Sequence, residues 1–411
     1  MSRKSNVNTT GAVIGRRTLL SGAAALGAGF AFAPSIRRAS AAETFKLGWV
    51  RPTTGRLVTS FAPLYAGGLI AVDEINAAGG IMGRQIERIE VDDEASPAKQ
   101  PAVIKKLEEE GCRYVLGPTG SSQSLSALAV TTPAKMIHGY FAVSTALGDG
   151  KKYPYGYQTT FNTEHQAQAA VEYLVKTLKA KKIGILQENT AFGEQAVADS
   201  KTHLQKHGLT PVTIEVFPPT APDLNAYLAN LERAGIDGLM IWAAAIPQLS
   251  MAFNGLASMN WFPPTVGHNQ LFNESLLPLV PAESIKNVYG TALKNFTWND
   301  SVYPDQRQVD FAKKVQAFPG AKGSEPIIAC SPFYDFLHVL KHAVEKAKSF
   351  DVDAVKAALD GVKGFPGMAG TINFSPENHC ALAATDLCMA RVDSARDPKS
   401  LGMFRQRAPG L

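Results

Sequence analysis

The chain of 411 residues has little excess charge and no long apolar segment beyond its N-terminal region. Its formal charge of +5 comes from residues 1–41, which hold six of the 41 basic residues and no acid. The other 35 basic residues face 36 acidic ones, and this near-neutral balance argues against nucleic acid as a partner. No run of about 18 apolar residues follows, so we predict no stable membrane insertion after export.

Cysteine is scarce, with four residues in the whole chain. Cys380 and Cys388 flank a predicted turn, and an oxidising compartment would permit a disulfide between them. Two free thiols are the alternative. Cys112 directly precedes a predicted strand, and we interpret it as a small buried residue.

Motifs for catalysis and metal binding are also missing. Beyond the N-terminal region there is no H-E-x-x-H, G-x-S-x-G, C-x-x-C or G-x-G-x-x-G pattern. The loop at 117–122 lacks the lysine of a phosphate-binding loop. His338 and His342 stand four residues apart on a predicted helix without an acidic ligand motif, so we interpret them as an ordinary helix face. We predict a protein that is not an enzyme and holds no metal or cofactor. A catalytic site assembled from dispersed residues stays open as the alternative.

The first 41 residues have the pattern of an export signal. Arg16 and Arg17 precede an apolar run at 19–33, and small residues at 39–41 form a cleavage site that ends at Ala41. Twin arginines before an alanine- and glycine-rich run favour the twin-arginine export route, and the general secretory route is the alternative. We therefore predict a periplasmic protein whose signal peptide is cleaved near Ala41.

A helix, a glycine stop and a strand occupy residues 65–93, and this alternation continues along the chain. Leu64, Gly68, Ala71 and Ile75 recur at the helical period, and the glycines at 79 and 80 end the predicted helix. Because strands and helices alternate, the pattern predicts an α/β protein with parallel sheets. The length exceeds that of a usual single core, so we expect two lobes. Further strands are predicted at 44–50, 113–116, 136–143, 182–187, 211–216 and 237–242.

Several segments, in order along the chain, carry a resemblance to a known family. They read DEINAAGGIMGRQIE, VDDEASPAKQPAVIKKL, YVLGPTGSSQSL, KIGILQENTAFGEQA and DGLMIWAAAIPQL. Together they resemble the solute-binding proteins of branched-chain amino-acid ABC transporters, the Leu/Ile/Val-binding protein family. The resemblance implies a type I periplasmic-binding-protein fold, with two doubly wound parallel-sheet lobes joined by a hinge of several crossings. It implies lobe 1 at 44–161 and 292–385, and lobe 2 at 162–291 and 386–411.

The resemblance also implies a function and a partner. Two lobes would close on a small solute and deliver it to the membrane permease of an ABC transporter. The alternatives are an exported enzyme on the same scaffold and a ligand-binding partner of a membrane sensor. A repressor with such lobes would begin with a helix-turn-helix, and an export signal occupies that place here.

The family's pattern assigns several ligand-binding residues. Ser121, with Ser122 beside it, lies at a predicted helix N-terminus, where N–H groups and a positive dipole end suit a carboxylate. In the family the serine that matches Ser121 binds the ligand carboxylate. The threonine that matches Thr145, next to Ser144, holds the same group. Phe192 matches an aromatic residue that packs on the ligand.

Two positions depart from the family's amino-acid binders. Ala245 stands where they have a tyrosine, and Asn269 or Gln270 stands where they have a glutamate for the ligand ammonium. Because an unpaired buried ammonium is costly, the hypothesis is a carboxylate ligand without an α-ammonium, such as an aliphatic or aromatic organic acid. An amide is the next candidate. Arg51, at the end of the first strand, is expected to add positive charge to the cleft.

Overall fold

Two β-sheets form the framework of the chain. The computed structural model describes residues 43–55, 57–319, 327–393 and 404–410, and the predicted export signal with its cleavage site lies outside these ranges. The strands of the first sheet are β1 (Phe45–Arg51), β2 (Ile86–Asp92), β3 (Tyr114–Thr119), β4 (Ile137–Phe141) and β5 (Gly156–Gln158). They lie in the order β2-β1-β3-β4-β5, and all of their pairings are parallel.

The second sheet is parallel except at one edge. Its strands are β6 (Ile183–Glu188), β7 (Thr213–Phe217), β8 (Gly238–Trp242), β9 (Thr265–Gly267), β10 (Val288–Leu293) and β14 (Leu387–Arg391). The order is β14-β10-β9-β8-β6-β7, and β14 runs antiparallel to β10. The predicted α/β class is therefore confirmed, with one antiparallel strand that the sequence pattern did not indicate.

Helices cover the faces of both sheets, and two short strand pairs complete the fold. The helices are α1 (Val58–Ala77), α2 (Gln100–Glu109), α3 (Ser121–Thr131), α4 (Thr163–Glu172), α5 (Ala191–Lys206), α6 (Asn225–Arg233), α7 (Ile246–Ser258), α8 (Ala282–Ile285), α9 (Gln306–Ala317), α10 (Ile327–Ala347) and α11 (Val352–Asp360). The short strands are β11 (Thr297–Trp298), which pairs with β15 (Arg405–Gln406), and β12 (Phe365–Pro366), which pairs with β13 (Thr371–Ile372).

Helix α1 follows its predicted pattern. Leu64, Gly68, Ala71 and Ile75 are all buried, as their helical spacing predicts. The helix ends at Ala77, and the glycines at 79 and 80 then take φ values of +97° and +81°. Glycine adopts this left-handed backbone without a Cβ penalty, so it ends the helix here.

Within the described ranges, the chain passes between the two sheets three times: after β5, after β10 and before β14. We use lobe 1 for the first sheet with α1–α3 and α9–α11, and lobe 2 for the second sheet with α4–α8. Strand β10 stays in the second sheet to Leu293, just past the predicted return to lobe 1 at 292. Helix α10 packs along α1, so the segment between the second and third crossings completes lobe 1.

The four cysteines are buried, and none of them is in a disulfide. Cys380 pairs with Gln158 at the end of β5 in the first sheet, whereas Cys388 lies opposite Ala292 in the second sheet. The permitted disulfide is not formed, because Cys380 and Cys388 lie against different sheets. The Cys380 thiol donates to the carbonyl of Thr160 at 3.2 Å, and burial raises its pKa to about 12.

His338 and His342 have separate surroundings. The Nε2 of His338 lies 3.7 Å from the Glu74 carboxylate, and the ring of His342 packs against Phe365 at 5.5 Å. Among the described residues, no group of three potential metal ligands is arranged to hold an ion. Within the same ranges, none of the helices has the length and apolar character needed to span a membrane.

Candidate functional site

A cavity of about 330 Å³ lies between the two lobes. Strands from both sheets end at its walls, and ligands of open α/β sheets bind outside the carboxyl ends of the strands. Lobe 1 lines it with Leu57, Phe61, Ala95, Pro97, Gly120, Ser121, Ser122, Gln123, Phe141, Ala142 and Val143. Lobe 2 lines it with Glu188, Asn189, Thr190, Phe192, Pro219, Ala244, His268, Asn269 and Gln270.

The N-terminus of α3 forms one wall of the cavity. Gly120 precedes it with φ +94°, and its N–H donates to the carbonyl of Phe141 in β4 at 2.8 Å. The hydroxyl oxygen of Ser121 accepts from the backbone N–H of Ser144 at 3.1 Å. The first N–H groups of a helix have no partner within it and carry the positive end of its dipole. This wall therefore suits an anionic group.

The structure separates the predicted site residues into two groups. Those that line the cavity are Ser121, Ser122, Phe192, Asn269 and Gln270. Those that do not are Arg51, Ser144, Thr145 and Ala245. Each member of the second group is held by contacts outside this lining.

Arg51 and Thr145 are turned toward charged partners. The Arg51 guanidinium lies 3.0 Å from the carboxylate of Glu90 on the neighbouring strand β2, so its charge is paired outside the cavity. The Thr145 hydroxyl donates to the Asp199 carboxylate of α5 at 2.8 Å and accepts from the Glu164 N–H at 2.9 Å. Thr145 thus belongs to a polar network that joins the lobes near the first crossing.

Ser144 and Ala245 support the site from behind its lining. Ser144 is buried, and its N–H donates a hydrogen bond to the Ser121 hydroxyl oxygen. Ala245 is the N-cap residue of α7, and its neighbour Ala244 faces the cavity instead. The one-residue displacement matters because consecutive residues in an extended loop point in different directions.

Aromatic side chains form the apolar walls on both sides. In lobe 2 the ring of Phe192 lies 4.9 Å from that of His268 and 6.2 Å from that of Trp242. In lobe 1 the rings of Phe61 and Phe141 lie 6.1 Å apart. The cavity therefore fits a ligand with an apolar body.

His268 lines the cavity as a neutral ring and adds no charge to it. Burial lowers its pKa to about 4, so the imidazole is neutral at pH 7. Its Nε2 is bonded to the carbonyl of Ala243, which fixes that nitrogen as the donor. Its Nδ1 is then an acceptor, and the N–H of Gln270 lies 3.4 Å from it.

Glu188 is a cavity residue that the sequence analysis missed. It ends strand β6 and is 2% exposed. One carboxylate oxygen accepts from the Thr190 hydroxyl at 2.9 Å and the other from the Ala244 N–H at 3.0 Å. The sequence did carry a signal for it, because Glu188 directly follows the apolar strand predicted at 182–187. Its position is the carboxyl end of that strand, where ligands of such sheets bind. An acid is therefore present in lobe 2, although not at position 269 or 270.

Three hydrogen bonds from lobe 2 meet at Ser60 in the first turn of α1, and we call these four residues the Ser60 clasp. The N–H of Ile246 donates to the Ser60 hydroxyl oxygen at 3.2 Å. The amides of Gln270 and Asn273 donate to its carbonyl at 3.1 and 3.3 Å. The lobes are therefore in contact beside the cavity, and we call this arrangement the closed form.

Comparison with known proteins supports a single family. A family model described as "Periplasmic binding protein" matches residues 44–397. The leucine-, isoleucine-, valine-, threonine- and alanine-binding protein of Pseudomonas aeruginosa is 24% identical over 332 residues, which cover 78% of this chain and 83% of that protein. The Leu/Ile/Val-binding protein homolog 1 of Brucella suis is 26% identical, with 87% and 92% covered.

Solved structures show the same fold. A type 1 periplasmic binding protein from Bordetella pertussis superposes with a TM-score of 0.77 at 24% identity, covering 85% of this chain and 96% of that one. An ABC-transporter solute-binding protein from Rhodopseudomonas palustris, in complex with 3,4-dihydroxybenzoic acid, gives 0.73 at 20% identity, with 88% and 95% covered. The type I periplasmic-binding fold expected from the sequence is confirmed.

Proposed function

The chain belongs to the periplasmic binding protein family, and from this membership we propose that it captures a small carboxylate-bearing solute for the membrane permease of an ABC importer. The observation that carries the proposal is the cavity between the lobes, which has the α3 N-terminus on one wall and aromatic rings on the others. The polar wall fixes the anionic group, and the apolar walls accept the body of the solute.

The carboxylate is placed against Ser121 and Ser122. The first N–H groups of α3 need partners from outside the helix, and a carboxylate supplies oxygens that accept from several donors at once. The hydroxyl of Ser122 also accepts from the N–H of Ala191 in lobe 2 at 3.2 Å. A solute held here therefore lies where the two lobes meet.

Lobe 2 determines what else the solute carries. The sequence-based hypothesis of a ligand without an α-ammonium depended on Asn269 and Gln270 standing in place of an acid. Glu188 supplies an acid from the end of strand β6, so amino acids stay in the proposed class beside organic and aromatic acids. The Asn269 amide, which also lines the cavity, can donate and accept.

Binding of a carboxylate solute is expected to close the lobes without chemical change. Leucine, 4-methylpentanoate and benzoate are titrated calorimetrically, each beside the alcohol in which CH₂OH replaces the carboxylate. Loss of a charge-assisted partner is expected to weaken the alcohol about tenfold or more. For each acid that binds, X-ray scattering should show a smaller radius of gyration, and mass spectrometry should recover the acid unchanged.

The same experiment separates the competing functions. If an alcohol bound as tightly as its acid, the carboxylate would not be recognised, and that part of the proposal would be wrong. Conversion of a bound solute would identify an exported enzyme on this scaffold. Closure with unchanged solute fits both an importer and a sensor partner, and reconstitution with the permease distinguishes these two.

We also propose export through the twin-arginine route, which rests on Arg16 and Arg17. Replacing both by lysine is expected to leave uncleaved precursor in the cytoplasm, because the route reads the arginine pair itself. Cell fractionation with detection by size checks this. Replacing Arg37 and Arg38 by lysine makes the same change closer to Ala41 and should not block export. Normal export of the first variant would favour the general secretory route.

A further inference from the structure

The Ser60 clasp joins three donors of lobe 2 to one residue of lobe 1. All four of its residues are buried, and Ser60 and Asn273 are each only 2% exposed. The donors come from two separate loops, the start of α7 and the segment after β9. Ser60 stands between Leu57 and Phe61, and both of these line the cavity. The clasp therefore closes directly beside the space for the solute.

We propose that the Ser60 clasp sets the closed fraction of the protein and thereby the residence time of the captured solute. The inference rests on the proposed function and adds to it a group of residues that acts on closure rather than on the solute. Gln270, which the sequence analysis assigned to the ligand, directs its amide to the Ser60 carbonyl instead. It is a positioning residue in this scheme.

The energetic reason lies in what opening exposes. In an open form, water satisfies the donors of Ile246, Gln270 and Asn273. In the closed form these groups are buried, and a buried donor without a partner is costly. Closure is therefore favoured only when all three donors reach Ser60 together. The solute fills the adjacent cavity and excludes water from the same region.

The orientation of Asn273 makes the proposal testable by a small change. Its Oδ1 accepts from the N–H of Ser275 at 3.0 Å, so its Nδ2 is the atom that faces the Ser60 carbonyl. Aspartate at this position keeps the oxygen for Ser275 and places a second oxygen against the Ser60 carbonyl. The local turn is preserved, while the cross-lobe bond becomes a repulsion.

Asn254, an exposed residue of lobe 2, offers a control for the chemical change alone. Its Nδ2 donates to the carbonyls of Ser250 and Leu279 at 2.9 Å each. Asn254→Asp makes the same donor-to-acceptor change without touching lobe 1. Both substitutions are placed in a chain that carries spin labels at Lys99→Cys and Glu232→Cys, which are exposed positions on opposite lobes. The native thiols are buried and should not react with the label.

Distances between the labels are measured without solute, with leucine and with benzoate. In any condition in which the wild type closes, Asn273→Asp is expected to lower the closed-to-open ratio about tenfold or more. It should also speed solute dissociation by a similar factor, with the association rate little changed. Asn254→Asp should match the wild type in both respects.

The outcomes separate the inference from the proposed function. If the wild type closes and Asn273→Asp closes equally, with the same dissociation rate, the clasp has no such role and only the inference falls. If Asn254→Asp opens the protein as much as Asn273→Asp, the effect is not specific to the clasp, and the inference falls as well. If the wild type stays open in all three conditions, closure itself is refuted and both fall together.

Discussion

Alanine at Gly67 is expected to lower the free energy of unfolding by about 3 kcal/mol, which is at the upper end of the usual cost of overpacking a core. A Cβ at this position would lie 1.7 Å from the carbonyl oxygen of Cys330 in α10 and 2.6 Å from its carbonyl carbon. These are backbone atoms, so no rotamer change relieves the clash. Helices α1 and α10 would have to move apart, and α1 carries Ser60 and Phe61 into the cleft. Solute binding should therefore weaken together with stability.

Urea unfolding with two substitutions of the same kind checks this expectation. Gly361→Ala is the control, because Gly361 has φ −92° and the nearest atom to an added Cβ lies at an ordinary 3.5 Å. Its effect should stay within about 0.5 kcal/mol. If Gly67→Ala unfolded at the same urea concentration as the control, the close packing of α1 on α10 would be contradicted.

The fold was predictable because its signals are local. The buried stripe of α1 repeats every three or four residues, and the glycines that stop the helix follow within a few positions. The alternation of strands and helices indicated the two-sheet α/β architecture in the same way. The antiparallel direction of β14 had no local signal, since it depends on where the chain returns after the third crossing.

The positions of the predicted site residues depend on contacts between distant parts of the chain, which the sequence pattern does not show. The Thr145 hydroxyl is bonded to Asp199, 54 residues later, and Thr145 does not line the cavity. Ser60 and Asn273 are 213 residues apart in sequence. A residue type and its place at a strand end do not show which distant carboxylate or amide it meets. Arg51 illustrates the same point, because its partner Glu90 comes from the next strand of the sheet.

A neutral histidine buried in lobe 1 makes stability sensitive to acid. His138 lies in β4 and is fully buried, and this burial lowers its pKa to about 4. Its Nδ1 lies 3.0 Å from the Thr131 hydroxyl, and its Nε2 is bonded to the Gly117 carbonyl. Because a carbonyl only accepts, Nε2 carries the proton and Nδ1 accepts from Thr131. A second proton, on Nδ1, would have to be donated to the Thr131 hydroxyl oxygen, and burial disfavours the charged imidazolium that results.

The sign of the pH effect follows from the two pKa values. In the unfolded chain His138 has the usual pKa of about 6.5, so above that pH neither state takes an extra proton. As the pH falls from 6.5 to 4, the unfolded state binds a proton that the folded state does not, and the free energy of unfolding decreases. The difference between these two pKa values corresponds to roughly 3 kcal/mol lost over this window. Below pH 4 both states are protonated and the slope disappears.

Other buried groups titrate in the same window and must be separated from His138. His268, with its pKa also lowered to about 4, acts in the same direction. Asp335 acts oppositely, because burial raises its pKa to about 6 and the folded state then gains stability as the pH falls. The contribution of His138 is therefore measured as a difference between variants and not from the wild-type curve alone.

His138→Gln is expected to remove roughly 3 kcal/mol of the difference in unfolding free energy between pH 7 and pH 4. Thr131→Val is the matched control, since it removes the hydroxyl that meets the imidazole but leaves the buried imidazole in place. It should lower stability at pH 7 while keeping most of the pH dependence, because burial is the largest cause of the pKa shift. Urea unfolding at pH 7, 6, 5 and 4 gives both slopes. Equal slopes for His138→Gln and the wild type would show that His138 takes up its proton in the folded state, which the burial of β4 argues against.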